Sequence, residues 1–186
     1  MTARKASGWV AFFVALVLVG FELIETGDVS NGGGDDDRAG RGESTTAREA
    51  RVLRVIDGDT ILVRPIVAGS LRGRTERVRY IGVDTPESVK PNSPVECFGA
   101  RASAYNKRLV AGKTVRLVPD AESRDRYGRT LAFVYADGVF VNARLIRDGY
   151  ARTLEIEPNT SRAGYFARLE RVAISTSKGL WGYCDR

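Results

Sequence analysis

Three short segments combine acidic and basic side chains with turn residues, and each lies where a predicted strand begins or ends. They are Asp57–Asp59 (Asp-Gly-Asp), Asp84–Glu87 (Asp-Thr-Pro-Glu) and Asp125–Arg129 (Asp-Arg-Tyr-Gly-Arg). Arg79 precedes the second segment by five residues on the same predicted strand. Carboxylate and carbonyl oxygens at such turns would suit a hard divalent cation, and guanidinium groups would suit a phosphate.

This set of side chains is typical of a site that hydrolyses phosphodiester bonds. The transition state carries extra negative charge on the non-bridging phosphate oxygens, which arginines such as Arg79 and Arg129 can bind bidentately. A divalent cation would add charge stabilisation and orient the attacking water. Glu87 is the natural group to accept a proton from that water, because the sequence contains no histidine.

The residue counts exclude several classes of catalytic site. With His 0 and Cys 2 in 186 residues, this chain cannot form a Ser-His-Asp triad, a Cys-His pair, a histidine-ligated zinc or iron site, or a Cys₄ site. A catalytic metal would therefore be a hard cation bound by oxygen, such as Ca²⁺, Mg²⁺ or Mn²⁺.

The predicted elements form one domain over residues 49–186. Strands are predicted at Arg51–Ile56, Thr60–Val67, Arg77–Val83, Lys113–Val118 and Arg129–Tyr135, and helices at Phe98–Val110, Val141–Asp148 and Ser161–Lys178. Asp-Gly between the first two runs predicts a hairpin. Alternation on the third strand places Val78 and Tyr80 on one face, with Arg79 and Ile81 on the other. This order predicts a mainly β fold with helices (α+β), a five-stranded barrel of the OB type with about three helices.

The N-terminal part of the chain is predicted to lie outside that domain. Arg4 and Lys5 precede an uncharged, largely apolar run at 6–21, which is typical of a signal peptide or a signal anchor. We therefore expect residues 1–25 to leave the domain secreted, or anchored on the outer side of the cytoplasmic membrane. Residues 26–48 contain Gly-Gly-Gly and Asp-Asp-Asp with few apolar side chains, and are predicted to be a flexible linker.

The charge favours a polyanionic partner. The chain carries a net charge of +6, and residues 49–186, with 24 basic and 16 acidic side chains, carry +8. The predicted domain is therefore more basic than the whole chain, as expected of a domain that meets phosphates.

Cys97 and Cys184 are the only cysteines. In an exported domain, an even count favours a disulfide, which would tie the C-terminal segment to the start of the first predicted helix. The alternative is a pair of free thiols in a cytosolic protein.

The stretch from Arg51 to about Trp181 resembles the staphylococcal nuclease (thermonuclease) family. The matching signatures are Ile-Asp-Gly-Asp-Thr at 56–60, Arg79 followed by Val-Asp-Thr-Pro-Glu at 83–87, and Asp-Arg-Tyr-Gly-Arg at 125–129. The resemblance implies an OB-fold barrel and Ca²⁺-dependent hydrolysis of DNA and RNA that leaves 3′-phosphates. We expect a monomer, with a membrane as partner only through an N-terminal anchor.

The resemblance also implies a role for each motif residue. Ca²⁺ would be bound by Asp59, Asp84 and the carbonyl of Thr85, with Asp57 behind these ligands. Glu87 would be the general base, and Arg79 and Arg129 would stabilise the transition state. Tyr127 and Arg126 would contact the substrate phosphate.

One segment departs from the family pattern. Tyrosines that contact the substrate base precede Pro-Asn in the staphylococcal enzyme, whereas Thr153–Asn159 here contains no aromatic residue. Stacking is worth roughly 1–3 kcal/mol per base, so nucleotide affinity and base preference are expected to differ.

Two other functions fit parts of the sequence. Some nuclease-like domains, such as those in tudor-containing proteins, lack the catalytic residues and only bind nucleic acid or protein, as other OB folds do. A cell-surface domain that uses Ca²⁺ for stability alone would also keep the acidic turns. Every position that catalysis needs carries the family's residue here, which favours the nuclease.

Overall fold

A computed structural model of the chain describes residues 46–88 and 96–184. The predicted signal segment and the predicted linker lie outside the described residues, except for positions 46–48. Arg48, the last residue of the predicted linker, is the first residue of a strand.

The described residues form nine strands and four helices. The strands are β1 (Arg48–Val55), β2 (Thr60–Val67), β3 (Ser70–Leu71), β4 (Glu76–Tyr80), β5 (Val83–Asp84), β6 (Thr114–Val118), β7 (Thr130–Ala136), β8 (Val139–Phe140) and β9 (Arg152–Thr153). The helices are α1 (Gly99–Val110), α2 (Val141–Arg147), α3 (Ala163–Ser175) and α4 (Leu180–Tyr183).

Five strands close into a barrel, which confirms the predicted OB-type α+β fold. Going round the barrel, β1 pairs with β6, β6 with β7, β7 with β4, β4 with β2, and β2 with β1. All pairs are antiparallel except β4 and β7, which run parallel. Closure pairs the edges of these five strands, and it fixes the ends of β1, β4 and β7 around one rim of the barrel.

The third predicted strand, 77–83, is interrupted in the structure. β4 ends at Tyr80, and β5 forms apart from the barrel, paired with β9. Gly82 lies between them with φ +73°, and the ring of Phe166 comes within 2.5 Å of where its Cβ would stand. Only glycine fits this turn readily. Because the strand breaks here, Ile81 is buried, as Val78 and Tyr80 are, although the predicted alternation placed it on the opposite face with Arg79.

Inward-pointing aliphatic side chains fill the barrel, and they alternate with outward-pointing ones along most of β2, β4 and β6. Val63, Val78, Val115 and Val134 are completely buried. The three predicted helices are confirmed, although α3 is shorter at both ends than the predicted 161–178. None of the helices in the described ranges is long and apolar enough to cross a membrane.

A disulfide joins Cys97 and Cys184, as predicted, with their Cα atoms 5.9 Å apart. Its first cysteine lies just before α1 and its second just after α4. The backbone N–H of Leu180 at the start of α4 also donates to the carbonyl of Gly149. The C-terminal helix is therefore fixed covalently beside the start of α1 and by hydrogen bonding beyond the end of α2.

Candidate active site

The turn between β1 and β2 presents Asp59 to the interior of the site. Its backbone N–H donates to Oδ1 of Asp57 at 3.0 Å, a short-range bond typical of aspartate in turns. The N–H groups of Ile56 and Asp57 donate to the carbonyl of Thr60, which closes the hairpin. The Asp59 side chain is only 7% exposed, so its two oxygens must find partners within the protein.

Arg79 on β4 connects the first two acidic segments. Its Nη1 lies 2.6 Å from Oδ1 of Asp59, and its Nη2 donates to Oδ1 of Asp84 at 3.1 Å. Nη1 also donates to the carbonyl of Val83 at 2.8 Å. One guanidinium group therefore holds the start of β2, the end of β4 and β5 in a fixed arrangement.

Thr85 completes the partners of Asp59. Its backbone N–H and its hydroxyl donate to Oδ2 of Asp59 at 2.8 and 2.9 Å. The Thr85 side chain lies so close to Gly58 that a Cβ there would be 2.5 Å from Oγ1. A glycine at position 58 is therefore needed for the two turns to touch.

Glu87 follows Thr85 and Pro86 on the same rim. Its Oε1 accepts a hydrogen bond from the backbone N–H of Ser88 at 2.9 Å. The backbone of Glu87 is held from behind, because its N–H donates to Oε2 of Glu96 and its carbonyl accepts the N–H of Glu96, both at 3.0 Å. Gly99, the first residue of α1, packs directly against the same carbonyl.

The turn before β7 positions Arg129. Its Nε donates to Oδ2 of Asp125 at 2.6 Å, and Oδ1 of Asp125 accepts the backbone N–H groups of Tyr127 and Arg129. Partial burial alone would raise the pKa of Asp125, but these hydrogen bonds outweigh it and hold the pKa below its usual range. Asp125 thus stays ionised and keeps Arg129 oriented.

These side chains meet at one cavity of about 230 Å³, at the rim of the barrel. Its lining includes Asp57, Asp59, Asp84, Glu87, Arg79 and Arg129, together with Thr85. The structure therefore brings together every residue predicted for metal binding and catalysis.

Burial controls the electrostatics of this cavity. Desolvation, with the nearby Asp57 carboxylate, raises the pKa of Asp59 to about 6, although Arg79 and the bonds from Thr85 oppose the shift. Partial burial likewise raises the pKa of Asp84, with Arg79 opposing and Asp59 adding to the effect. A cation bound beside Asp59 and Asp84 would favour ionisation of both carboxylates.

The donor set fits a hard divalent cation with an incomplete protein shell. All candidate donors are oxygens, which Ca²⁺ and Mg²⁺ prefer. Within the described ranges, no three acidic or cysteine side chains are grouped tightly enough to enclose an ion. Asp59 and Asp84 would therefore leave coordination positions for water and for a substrate phosphate.

The two predicted substrate residues line a larger neighbouring cavity of about 540 Å³, which shares Arg79 and Arg129 with the first. Tyr127 is 69% exposed, and its hydroxyl accepts a hydrogen bond from Arg126 at 2.7 Å. The far wall includes Leu154 and Ile156, from the segment without aromatic residues.

Asn106 of α1 supports the site and was not predicted from the sequence. Its side chain is completely buried, accepts the hydroxyl of Tyr80 at 2.9 Å, and donates to the carbonyl of Asp57 at 3.1 Å. It therefore supports the acidic turn from below. The detectable signal was a polar residue in the apolar stripe that also contains Ala102 and Val110, at a spacing of four residues.

Comparison with known proteins agrees with this geometry. Residues 77–183 match the family model described as staphylococcal nuclease homologue. The chain is 36% identical over 181 residues to the thermonuclease of Staphylococcus intermedius, covering 96% of this chain and 98% of that protein. It is 40% identical over 131 residues to the thermonuclease of Staphylococcus hyicus, covering 70% and 74%. It is also 43% identical over 130 residues to endonuclease YncB of Bacillus subtilis (strain 168), covering 69% and 59%.

The match with the family model extends from β4 to α4 and includes Arg79, the segment 83–87 and the turn 125–129. The match with the first thermonuclease covers almost the whole length of both proteins. With a barrel of the expected topology and the motif residues around one cavity, the chain belongs to the staphylococcal nuclease family.

Proposed function

We propose that this nuclease is Ca²⁺-dependent and hydrolyses phosphodiester bonds in DNA and RNA to leave 3′-phosphate ends. The observation that carries the proposal is the shared cavity, where two carboxylates that could bind a cation, a third carboxylate and two arginines lie within one small volume. These are the groups required to hold a phosphodiester, activate water and stabilise added negative charge.

Asp59, Asp84 and the carbonyl of Thr85 would hold Ca²⁺, with Asp57 supporting the turn behind them. The ion would supply positive charge beside the phosphate when bound. The raised pKa of Asp59 supports this assignment, because a buried carboxylate of this kind gains most from a neighbouring cation.

Glu87 accepts a proton from the attacking water and orients it. The oxygen of that water forms a new bond to phosphorus as the bond to the 5′ oxygen breaks. The 5′ oxygen leaves with a proton supplied by Arg129 or by a bound water. The contacts from Glu96 support this role, because they fix the backbone of Glu87 while the carboxylate faces the cavity.

Arg79 and Arg129 stabilise the phosphorane-like transition state. Asp125 orients Arg129 through Nε, so both Nη groups can address the non-bridging oxygens. Arg79 sits between Asp59 and Asp84, where it can exchange carboxylate contacts for phosphate contacts once a cation binds. Tyr127 and Arg126 would contact the phosphate from the neighbouring cavity.

Activity assays on single-site variants test this assignment. Glu87→Gln and Arg129→Ala should each lower kcat by at least roughly two decades, the usual effect of losing a general base or a transition-state donor. Both variants should remain folded and show a single cooperative melting transition. Cleavage of plasmid DNA should require Ca²⁺ and stop with EGTA. Equal cleavage by wild type and Glu87→Gln would reject the mechanism, whereas binding without cleavage by wild type would favour a binding module.

Export of the nuclease domain is also part of the proposal. The apolar run at 6–21 and the disulfide are both typical of proteins that act outside the cytoplasm. We expect the full-length chain to be found in the culture medium or on the outer face of the membrane. Mass analysis of the product would show whether residues 1–25 are removed, and recovery from the cytoplasm alone would contradict export.

A further inference from the structure

The outer face of β1, β2 and β4 carries four exposed arginines beside the active site. They are Arg51 and Arg54 on β1, Arg64 on β2 and Arg77 on β4, and they surround the half-buried Leu62. These four residues form the arginine face. No step of the proposed mechanism uses it.

Strand register places these side chains close together. Arg51 lies directly opposite Arg64, and Leu62 is flanked by Arg54 on one side and by Arg77 on the other. A bulge between Val52 and Arg54 brings Arg54 to the same face as Arg51, although their spacing is odd. With strands ~4.8 Å apart and alternate residues ~6.8 Å apart, the four Cα atoms fall within a patch of roughly 10 by 7 Å.

The arginine face is not neutralised by the rest of the described protein. Across residues 46–88 and 96–184, no carboxylate is within 4.0 Å of any of its four guanidinium groups. Glu76, the nearest acidic residue on β4, is paired with Arg48 and Arg124 instead. Glu49 precedes Arg51 by two residues but lies opposite Arg116 of β6.

Such an arrangement does not stabilise the barrel. Like charges directly opposite each other on two antiparallel strands are destabilising, and Arg51 and Arg64 are such a pair. Charges of one sign grouped on one surface instead attract a ligand of the opposite sign.

The arginine face is continuous with the active site. Arg77 precedes Arg79 by two residues on the same side of β4. Val78 of β4 lies beside Thr130 of β7 in the parallel pair. Arg77 and the catalytic Arg129 each come one residue earlier, so they are neighbours as well. Both arginines line an open groove of about 450 Å³, together with Arg124 and Tyr127.

We propose that the arginine face binds backbone phosphates of the substrate strand beyond the bond that is cleaved. Measured along the strands, the distance from Arg79 past Arg77 to the paired Arg64 and Arg51 is roughly 14 Å. That distance corresponds to about four stacked nucleotides at ~3.4 Å each. The inference rests on the proposed nuclease function and adds an extended binding site, which makes long strands better substrates than short ones.

The test compares a long oligothymidylate with a dinucleotide as substrates for the Arg51→Gln/Arg64→Gln double variant. For the long strand, KM should rise on the order of tenfold with kcat unchanged, and the dinucleotide should be cleaved at the wild-type rate. The slope of log(kcat/KM) against log[salt] for the long strand should become shallower by about 1.4, or ~0.7 for each lost phosphate contact.

Arg171→Gln/Lys178→Gln is the matched control. It removes the same charge from exposed positions on and after α3, a helix that packs on α2, β9 and α4 rather than on β1, β2 or β4. The control should keep the wild-type KM for the long strand. An equal rise in KM for both double variants would show a general charge effect and overturn the proposal, as would an equal loss with the dinucleotide.

Two further readouts separate binding from folding. The Arg51→Gln/Arg64→Gln variant should melt at or above the wild-type temperature, because a repulsive pair is removed. In a Glu87→Gln background, the same pair of substitutions should weaken binding of the labelled oligothymidylate by the same factor as KM. Unchanged binding there would overturn the arginine face as a strand site, whereas failure of the wild type to cleave either substrate would reject the nuclease function itself.

Discussion

At the residue scale, burial of the Asp59 carboxylate is unfavourable to the stability of the ionised, metal-free protein. The protein surrounds it with two donors from Thr85 and the guanidinium group of Arg79, yet desolvation still raises its pKa to about 6. A group with a raised pKa in the folded state contributes stability below its ordinary pKa of 3.8, and that contribution is lost as the pH rises through 6. At neutral pH, the metal-free protein therefore carries an unfavourable buried charge.

Asp59→Asn should accordingly raise the free energy of unfolding of the metal-free protein at pH 7, by up to about 3 kcal/mol. The neutral amide avoids the desolvation that penalises the carboxylate. Its oxygen can still accept from Thr85 while its NH2 group donates to the hydroxyl of Thr60. Arg79 then loses this partner but keeps the carbonyl of Val83 and the carboxylate of Asp84 as acceptors. The difference from wild type should shrink as the pH falls from 6 towards 4, where the wild-type carboxyl becomes protonated. Urea denaturation of both proteins across that range measures it, and Asp57→Asn serves as a neighbouring control. A variant that is less stable than wild type at pH 7 would contradict this account of the site.

At the element scale, an ion pair joins three strands of the barrel at the start of β4, the end farther from Arg79. Arg48 of β1 donates from both Nη atoms to both oxygens of Glu76 on β4 at 2.8 Å, and the hydroxyl of Thr130 on β7 donates to Glu76 at 2.6 Å. These bonds, led by those from Arg48, outweigh partial burial and lower the pKa of Glu76 to about 2. Thr130 directly follows Arg129, so this contact also fixes the start of β7 beside Arg129.

Glu76→Gln should lower the free energy of unfolding at neutral pH by up to about 3 kcal/mol. A lowered pKa gives stability that is present above the ordinary value of 4.5 and is lost as the pH falls towards 2. The gap between wild type and variant should therefore close over that interval. Glu49→Gln, at an exposed position on β1, should change stability by no more than about 0.5 kcal/mol. A gap for Glu76→Gln that did not depend on pH would argue against the ion pair as its source.

The turns were predictable from sequence because their chemistry is local. Asp-Gly-Asp and Asp-Arg-Tyr-Gly-Arg each form hydrogen bonds within a few residues, as Asp125 does with the N–H groups of Tyr127 and Arg129. Asp-Thr-Pro-Glu is instead held mainly from outside, by the bonds from Thr85 to Asp59 and from Glu87 to Glu96. The pairing of Arg48 with Glu76 was not predictable, because it depends on barrel closure over 28 residues. The break at Gly82 likewise follows from the approach of Phe166, a contact between distant parts of the chain.

At the scale of the whole molecule, the disulfide spans most of the nuclease domain. Cys97 and Cys184 are 87 residues apart, and the loop they close contains α1, β6, β7, α2 and α3. Cys97 also follows Glu96, which holds the backbone of Glu87. The predicted pairing was correct because two cysteines allow only one intramolecular bridge, whereas its closeness to Glu87 required the fold.

The Cys97→Ser/Cys184→Ser variant should lose roughly 2–5 kcal/mol of unfolding free energy, because a long loop is no longer constrained in the unfolded chain. Urea denaturation with and without dithiothreitol measures the effect. Reductant should destabilise the wild type to the level of the double variant and leave the double variant unchanged. Equal stability of oxidised and reduced wild type would contradict a stabilising role for this bridge.

We propose that three separate segments converge at one cavity, where Asp59, Asp84 and Thr85 bind one divalent cation and Arg79 and Arg129 face it. A crystal structure of the protein grown with Ca²⁺ tests it most directly. The account predicts one ion with oxygens of Asp59, Asp84 and the Thr85 carbonyl at about 2.3–2.6 Å, and with Arg79 released from at least one carboxylate. Density for Ca²⁺ elsewhere, or an ordered site in which Arg79 still bridges Asp59 and Asp84 at saturating Ca²⁺, would contradict it.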